Sequence, residues 1–243
     1  DALTGATVAG SSSDVIGSDA VTFSQSAAFG DKNVGTGKTV NVTSISLSGA
    51  DAGNYSLQNT SATSTANITP YALSISGITA ANKVYDGLTL ATLSGSASLG
   101  GVLGSDSVSV AGSAVGAFAD KNVGTNKAIL VSGLNLSGAD AANYTVGALS
   151  ATADITAKAL TVAYTASNKV YDATTAATVS GSSSDVLGSD VVTFSQSAVF
   201  ANKNVGTGQT VNVTSISLSG ADAGNYSLQN TTASTTADIS RAS

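Results

Sequence analysis

Small apolar and polar residues alternate over short segments of this chain, and Gly, Ser, Asp and Asn separate the segments. The alternation is clearest in TVNVTSISL at residues 39–47, ALSIS at 72–76, ALTVAY at 159–164 and VVTFS at 191–195. A period of two residues is typical of half-buried β-strands, and no window shows the 3.6-residue stripe of an amphipathic helix. The pattern therefore predicts an all-β protein.

The strands and turns recur as a long internal repeat. NKVYDG begins at residue 82 and NKVYDA begins 86 residues later, at residue 168. This period is longer than the roughly 20–50 residues of a solenoid repeat, so it predicts a row of separate domains. The other recurring phrases are VIGSD at 15–19, VLGSD at 102–106 and 186–190, DKNVGTGK at 31–38, DKNVGTNK at 120–127, NKNVGTGQ at 202–209, SLSGADAGNYSLQNT at 46–60 and 217–231, and NLSGADAANYTV at 135–146.

The repeats predict three domains. We expect repeat 1 at residues 1–69, repeat 2 at 70–156 and repeat 3 at 157–243. Counting runs gives about seven short strands per repeat, the number expected of an immunoglobulin-like β-sandwich. The connector at residues 68–73 contains Pro70, which fixes φ and stiffens the joint. We therefore expect tandem sandwiches in an extended array, with neighbouring repeats of the same protein as partners.

Repeat 1 lacks the strand-like segment that opens the other two repeats, at residues 72–85 and 159–171. It begins at Asp1, the counterpart of the Asp that follows this segment. We expect a sandwich without its first strand, with an unpaired edge and an apolar groove that recruit a strand from another chain. Residues 236–243 are the expected donor, which would give head-to-tail self-association.

The recurring SGADA-NY phrase allows two interpretations. One is a structural corner, in which a tyrosine near the start of a strand closes a turn with its hydroxyl bonded to backbone upstream. We expect each tyrosine hydroxyl to satisfy a carbonyl and each aspartate to cap the turn through its side chain. The alternative is a ligand site used three times. The corner residues are Asp51, Tyr55, Asp140, Tyr144, Asp222 and Tyr226.

Composition narrows the chemistry of the chain. Cys, His, Met, Trp and Glu are absent, which removes Ser-His-Asp and Cys-His catalysis, ordinary zinc sites and glutamate pairs. We therefore expect no enzyme activity and no cofactor. The chain has a net charge of −6 and therefore lacks the basic surface that binding to nucleic acids or anionic membranes requires. No apolar stretch is long enough for a spanning helix, so no membrane insertion is expected.

The sequence contains candidates for three kinds of site, namely a calcium site, an isopeptide bond and a carbohydrate site. Aspartates in Gly-rich loops are candidate calcium ligands, at Asp19, Asp106 and Asp190, although no loop has a clustered carboxylate pattern. A second candidate is an isopeptide bond between a lysine of the recurring Lys-Asn pair and an asparagine. Such a reaction needs a buried acid, and the chain has no Glu to serve as that acid. The lysines are Lys32, Lys121 and Lys203, beside Asn33, Asn122 and Asn204.

A carbohydrate platform is the third candidate, because sugar sites use exposed aromatic rings. Most aromatic residues recur at equivalent repeat positions, as core residues do. Tyr71 and Tyr164 do not recur, so we expect them to be the exposed ones. A host or biofilm glycan is the partner that such a site would bind.

The KVYDG, LSGADA-NY and ITPYAL phrases, in this order, resemble the YDG-type repeat domains of filamentous-haemagglutinin-like surface proteins of Gram-negative bacteria. The resemblance covers the whole chain. It implies an extracellular adhesin or surface filament in which these repeats form a stalk, without catalytic residues. The alternative is that the repeats bind a polysaccharide or matrix partner by avidity. Ala173 replaces the family's Gly, so we expect a backbone there that does not require glycine.

Overall fold

The computed structural model of the chain describes residues 2–243, and β-strands dominate it. The helices in this part of the chain are three 3-10 turns, Ala52–Asn54, Ala141–Asn143 and Ala223–Asn225, and none is long and apolar enough to cross a membrane. The prediction of an all-β protein is confirmed. The strands are β1 (Thr22–Phe29), β2 (Gly35–Ser48), β3 (Ala62–Ile68), β4 (Tyr71–Ala80), β5 (Lys83–Val84), β6 (Leu90–Ala91), β7 (Leu93–Gly100), β8 (Ser109–Phe118), β9 (Gly124–Ser137), β10 (Tyr144–Val146), β11 (Leu149–Thr156), β12 (Lys158–Leu160), β13 (Ala163–Ala166), β14 (Lys169–Val170), β15 (Val179–Ser182), β16 (Thr193–Phe200), β17 (Gly206–Ser219), β18 (Tyr226–Leu228) and β19 (Ala233–Ser240).

The alternating segments found in the sequence lie in strands, with two differences at their edges. Residues 39–47 lie inside β2 and residues 72–76 inside β4. Residues 159–164 are divided between β12 and β13, and the segment at 191–195 enters β16 only at Thr193. The described part of repeat 1 has three strands, and repeats 2 and 3 have eight strands each. The expected number of about seven is therefore close for repeats 2 and 3 but not for the described part of repeat 1.

Backbone contacts divide the chain into two compact units whose bounds differ from those of the repeats. The first unit comprises the described part of residues 1–78 with 95–114 and 132–149. The second comprises 79–94, 115–131 and 150–243. Each unit therefore holds one whole terminal repeat together with part of repeat 2, and one junction between consecutive repeats lies inside each unit.

In the first unit, β2 is the central strand of the sheet β1-β2-β3 and buries Val40 and Val42. In repeat 2 the opening strand β4 pairs in parallel with β10, which begins at the corner tyrosine. The equivalent residues of repeat 1, at 55–57, form no strand in the described part of the chain. Beside them lies a groove of about 420 Å³ whose lining includes Phe23, Leu47 and Leu57. The groove lies at the position expected from the sequence, but it is not purely apolar, because Gln25, Gln58 and Asn59 also line it.

In the second unit, β19 lies inside the sheet β14-β19-β17-β16 and contributes Ala237 and Ile239 to a core with Phe200 and Val211. It pairs in parallel with β14 and antiparallel with β17. A strand bonded on both sides cannot be donated without breaking this sheet. The expectation that residues 236–243 serve as a donor strand is therefore wrong for the part of this segment in β19.

Ala173 occupies a backbone conformation that favours glycine. Its φ is +63°, and the equivalent Gly87 has φ +78°. A β-carbon makes the left-handed region unfavourable for most residues. The position is therefore not restricted to glycine, as expected, although Ala173 adopts there a positive φ that favours glycine.

Candidate functional site: a recurring contact between repeats

The SGADA-NY phrase folds in the same way in all three repeats. A long strand ends directly before a glycine with positive φ, and a 3-10 turn then leads to the tyrosine. Gly220 has φ +113°, and the carbonyl of Val191 lies where a β-carbon would be. Only glycine fits both constraints, which explains why glycine recurs at this position of the phrase. Gly49 and Gly138 meet the carbonyls of Ala20 and Ser107 in the same way.

The aspartate of the phrase does not cap its own turn. Asp222 precedes the 3-10 turn, but its side chain makes no capping bond there. Instead its Oδ2 accepts a hydrogen bond of 2.9 Å from the backbone N–H of Val191. The expected capping role is wrong, because the carboxylate joins the corner to a loop that is distant in sequence. Asp51 accepts from Ala20 at 2.8 Å and Asp140 from Ser107 at 2.9 Å, and neither caps its turn.

The corner tyrosine also differs from its expected role. The Tyr226 hydroxyl accepts a bond of 2.9 Å from the backbone N–H of Leu187 and donates one of 2.7 Å to Asp190 Oδ2. Its upstream partner is thus an amide and a carboxylate, and the expected bond to a carbonyl is wrong. Burial, with the bond to Asp190, raises the pKa of Tyr226 to about 12. Tyr55 bonds Ile16 and Asp19, and Tyr144 bonds Leu103 and Asp106, in the same pattern.

The three aspartates considered for calcium are therefore the partners of the corner tyrosines. Asp19, Asp106 and Asp190 each accept a bond of 2.7 Å from a tyrosine hydroxyl. Within residues 2–243 no group of three or more Asp, Glu, His or Cys side chains is placed to hold a metal ion. The recurrence of these aspartates follows from their place in the corner.

In the second unit, repeats 2 and 3 meet at this corner. We name residues 31–34, 120–123 and 202–205 the lysine loops. Lys121 Nζ lies 2.7 Å from Asp190 Oδ1 and 3.1 Å from Asp222 Oδ1. The backbone N–H of Val123 donates to Asn225 Oδ1 at 2.9 Å, and Asn225 Nδ2 donates to Asn122 Oδ1 at 3.1 Å. We call this set the second contact.

Tyr85, the tyrosine of the NKVYDG phrase, completes the second contact. Its hydroxyl donates to Asp190 Oδ2 at 2.7 Å, and its ring meets the edge of Tyr226 with centroids 5.5 Å apart. Lys121 Nζ lies 5.7 Å from the centroid of the Tyr85 ring. Only 2% of Tyr85 is exposed. Asp190 thus receives two tyrosine hydroxyls and one ammonium group, of which Tyr85 and Lys121 come from the preceding repeat.

In the first unit, repeats 1 and 2 form the same arrangement. Lys32 bonds Asp106 and lies 3.0 Å from Asp140 Oδ1. The backbone N–H of Val34 donates to Asn143 Oδ1 at 2.9 Å. Asn143 Nδ2 in turn donates to Asn33 Oδ1 at 3.1 Å, and an edge-on contact of 6.3 Å joins the Tyr144 ring to Tyr71. We call this set the first contact.

In both contacts, the lysine and the aspartates stabilise each other in their charged forms. The bonds from Lys32 and Tyr144 lower the pKa of Asp106. Burial alone would raise the pKa of Asp190, but Lys121 and the tyrosine hydroxyls hold it below its usual range. Asp190 also raises the pKa of Lys121, with help from Tyr85 and Asp222. The ion pair is therefore fully charged near neutral pH.

The same geometry argues against an isopeptide bond to asparagine. Lys32 and Lys121 direct their ammonium groups at carboxylates of the following repeat rather than at Asn33 or Asn122. A lysine whose pKa is raised keeps its proton, and a protonated amine is not a nucleophile.

The sequence pointed to the aspartates and tyrosines of the corner, but it suggested Lys32 and Lys121 only for an isopeptide bond and did not connect Tyr85 with the corner. The available signal was charge complementarity between phrases that recur in every repeat. Of the two tyrosines expected to be exposed, Tyr71 is 46% exposed, whereas Tyr164 is buried at 9% and that prediction is wrong.

Comparison with known protein families finds one family model, and its matched residues include those of both contacts. A family model described as the YDG domain matches residues 1–64, 69–153 and 156–235, which is most of the chain. The matched ranges include both lysine loops and both corners of the two contacts. No curated protein matches the chain.

Proposed function

The chain belongs to the YDG domain family, and from this premise we propose that its repeats are structural spacer domains of a large bacterial surface adhesin or filament, either secreted or anchored at the cell surface. In this proposal the repeats carry an adhesive region away from the cell. They have no catalytic role, because the sequence supplies none of the usual His, Cys or Glu groups.

One observation carries the proposal. The polar side chains that recur in the phrases are engaged with the neighbouring repeat in both contacts, as Lys121 is with Asp190. A binding module would instead present the same side chains to solvent on every repeat, where each could hold a ligand and gain by avidity. Side chains that fasten one repeat to the next favour a mechanical role.

We also propose that each complete repeat is an immunoglobulin-like sandwich. Two features support this assignment. The opening strand pairs in parallel with the strand that begins at the corner tyrosine, β4 with β10 and β12 with β18. In repeat 3, Ala166 of β13 and Val179 of β15 pack against the core cluster of the other sheet, as residues of two layers do. The cluster comprises Phe200, Val211, Ala237 and Ile239.

Surface display tests the spacer role. The chain is anchored at one end on a bacterial cell and carries a short peptide tag at the other, and the anchor with the tag alone is the control. We expect cells with the spacer to attach better than the control to plates coated with an antibody against the tag. We also expect untagged cells not to attach to glycan or matrix proteins. Attachment of untagged cells to such a coating would contradict the spacer role and favour the binding module.

A further inference from the structure

Repeat 1 presents a corner that is already shaped like those of the two contacts. We name Asp19, Asp51, Asn54 and Tyr55 the open acceptor site. Tyr55 donates to Asp19 at 2.7 Å, and Asp51 accepts from a backbone N–H at 2.8 Å, as their counterparts do. Within residues 2–243 no lysine pairs with either carboxylate, and the side chain of Asn54 is exposed without a hydrogen-bond partner.

Repeat 3 presents the complementary surface. Its lysine loop contains Lys203, whose ammonium group has no acidic partner among the described residues. Val205 is 44% exposed, whereas the equivalent Val123 is partly buried in the second contact. Tyr171 is the counterpart of Tyr85 and is 36% exposed rather than 2%. We name Tyr171 and residues 202–205 the open lysine surface.

We propose that the open acceptor site binds the open lysine surface of a second copy of this chain, head to tail. The charges are opposite, since Lys203 would meet Asp19 and Asp51. The amide of Val205 would donate to Asn54 Oδ1, as the amide of Val123 donates to Asn225. Both surfaces carry the side chains that make these bonds in the two contacts, and the acceptor carboxylates already have the required bonds to Tyr55 and Ala20.

The first and second contacts supply the independent evidence for this occupant. The same residue types, in the same corner geometry, hold a lysine loop in both places where a following repeat is present. The site belongs to repeat 1 and its occupant to repeat 3, and no pairing between the two is found among residues 2–243. Such a contact between two copies is heterologous, so it can continue from one copy to the next. The proposal does not rest on the spacer role, because spacer domains need not associate.

Association between separate chains lacks the covalent link that favours the contacts within one chain. A short link supplies an effective concentration on the order of millimolar, so we expect association to become visible in that range. Sedimentation equilibrium of the full chain at low ionic strength, with a calcium chelator present, should show a mean mass that rises with concentration. The rise should diminish in high salt, because exposed charges are screened.

Two variants test the surfaces separately. Lys203→Ala removes the ammonium group, and Asp19→Asn keeps an acceptor for the Tyr55 hydroxyl but removes the charge. Each variant alone should remain monomeric, whereas a mixture of the two should form dimers and nothing larger, because each variant keeps one intact surface. Lys158→Ala is the control, since it removes one positive charge outside both surfaces, and it should associate like the parent chain.

Three results would overturn the proposal. They are a parent chain that stays monomeric at millimolar concentration, association that survives Lys203→Ala, and a mixture that shows no dimer although circular dichroism finds both variants folded. Association that survives Lys203→Ala would point to a strand entering the groove of repeat 1.

Discussion

The first and second contacts share their charged part and differ in their aromatic part. Lys32 and Lys121 each bridge two aspartates of the following repeat. Beside each lysine, the side chains of two asparagines from different repeats form a hydrogen bond, which we call the asparagine clasp. Only the second contact, among the described residues, adds a tyrosine hydroxyl from the preceding repeat, that of Tyr85. The first contact instead has the ring of Tyr71 against Tyr144, from within repeat 2.

This difference separates what is common to the contacts from what strengthens one of them. The ion pairs and the asparagine clasp are present in both contacts, so the arrangement forms without a tyrosine hydroxyl from the preceding repeat. The Tyr85 hydroxyl brings a third donor to Asp190, and its ring buries apolar area against Tyr226. We therefore expect the second contact to be the more stable one.

Extremes of pH should have the largest effect and should separate the contacts at high pH. The folded-state pKa values of Asp106 and Asp190 lie below their usual 3.8. Their contribution to stability is thus present above pH 3.8 and is lost as pH falls through the lowered values. The pKa of Tyr226 is raised from 10.0 to about 12, so its contribution is present below pH 10 and is lost as pH rises towards 12.

Hydrogen exchange of two amides can follow these losses locally. The N–H of Val34 reports on the first contact and that of Val123 on the second, because each is bonded across its contact. Acid should remove the protection of both amides. Between pH 10 and 12, Val123 should lose proportionally more protection, since two tyrosines with raised pKa values, Tyr85 and Tyr226, bond Asp190. Equal loss at both amides would count against the aromatic difference.

Asp190→Ala should have the largest effect of any single substitution. It removes the acceptor of two tyrosine hydroxyls and leaves Lys121 without its closest partner. We expect the free energy of unfolding of the second unit to fall by about 2 kcal/mol in urea titrations. Asp19→Ala is the matched control, because Asp19 bonds only one tyrosine and, within residues 2–243, no lysine. A control that loses as much stability would show that the contact adds nothing to the corner.

Tyr85→Phe should have a smaller effect that is specific to the second contact. The ring and its burial are retained, and one hydrogen bond to a carboxylate is lost. We expect a loss of about 1 kcal/mol in the free energy of unfolding. Tyr171→Phe changes the equivalent hydroxyl, which has no partner among the described residues, and should leave stability unchanged. Equal effects of the two substitutions would remove the distinction between the engaged and the open surface.

The fold could be predicted from the sequence as far as local rules reach. Alternation placed β2 and β4, and the turn residues separated the strands, because period and turn chemistry act over a few residues. The split between β12 and β13 was missed, since the sequence there reads as one continuous alternation while Val162 is bonded by the distant Asn230.

The site was half predictable for the same reason. The recurring Asp and Tyr of the corner were found, but their partners were not, because Leu187 lies 39 residues from Tyr226 and the lysine loop lies in the preceding repeat. An immunoglobulin corner suggested a nearby carbonyl, and the carboxylate of Asp190 took its place. Bonds between repeats leave no periodic pattern in the sequence, although opposite charges that recur in every repeat give a hint of them.

A double-mutant cycle between Tyr85 and Asp190 tests most directly whether the recurring residues fasten one repeat to the next. The free energy of unfolding is measured for the parent chain, Tyr85→Phe, Asp190→Ala and the double variant, with Tyr171→Phe in place of Tyr85→Phe as the control cycle. The contact predicts a coupling of about 1 kcal/mol, so that Tyr85→Phe costs almost nothing once Asp190 is gone, and a control cycle that is additive. A coupling below about 0.3 kcal/mol in the Tyr85 cycle would contradict the contact.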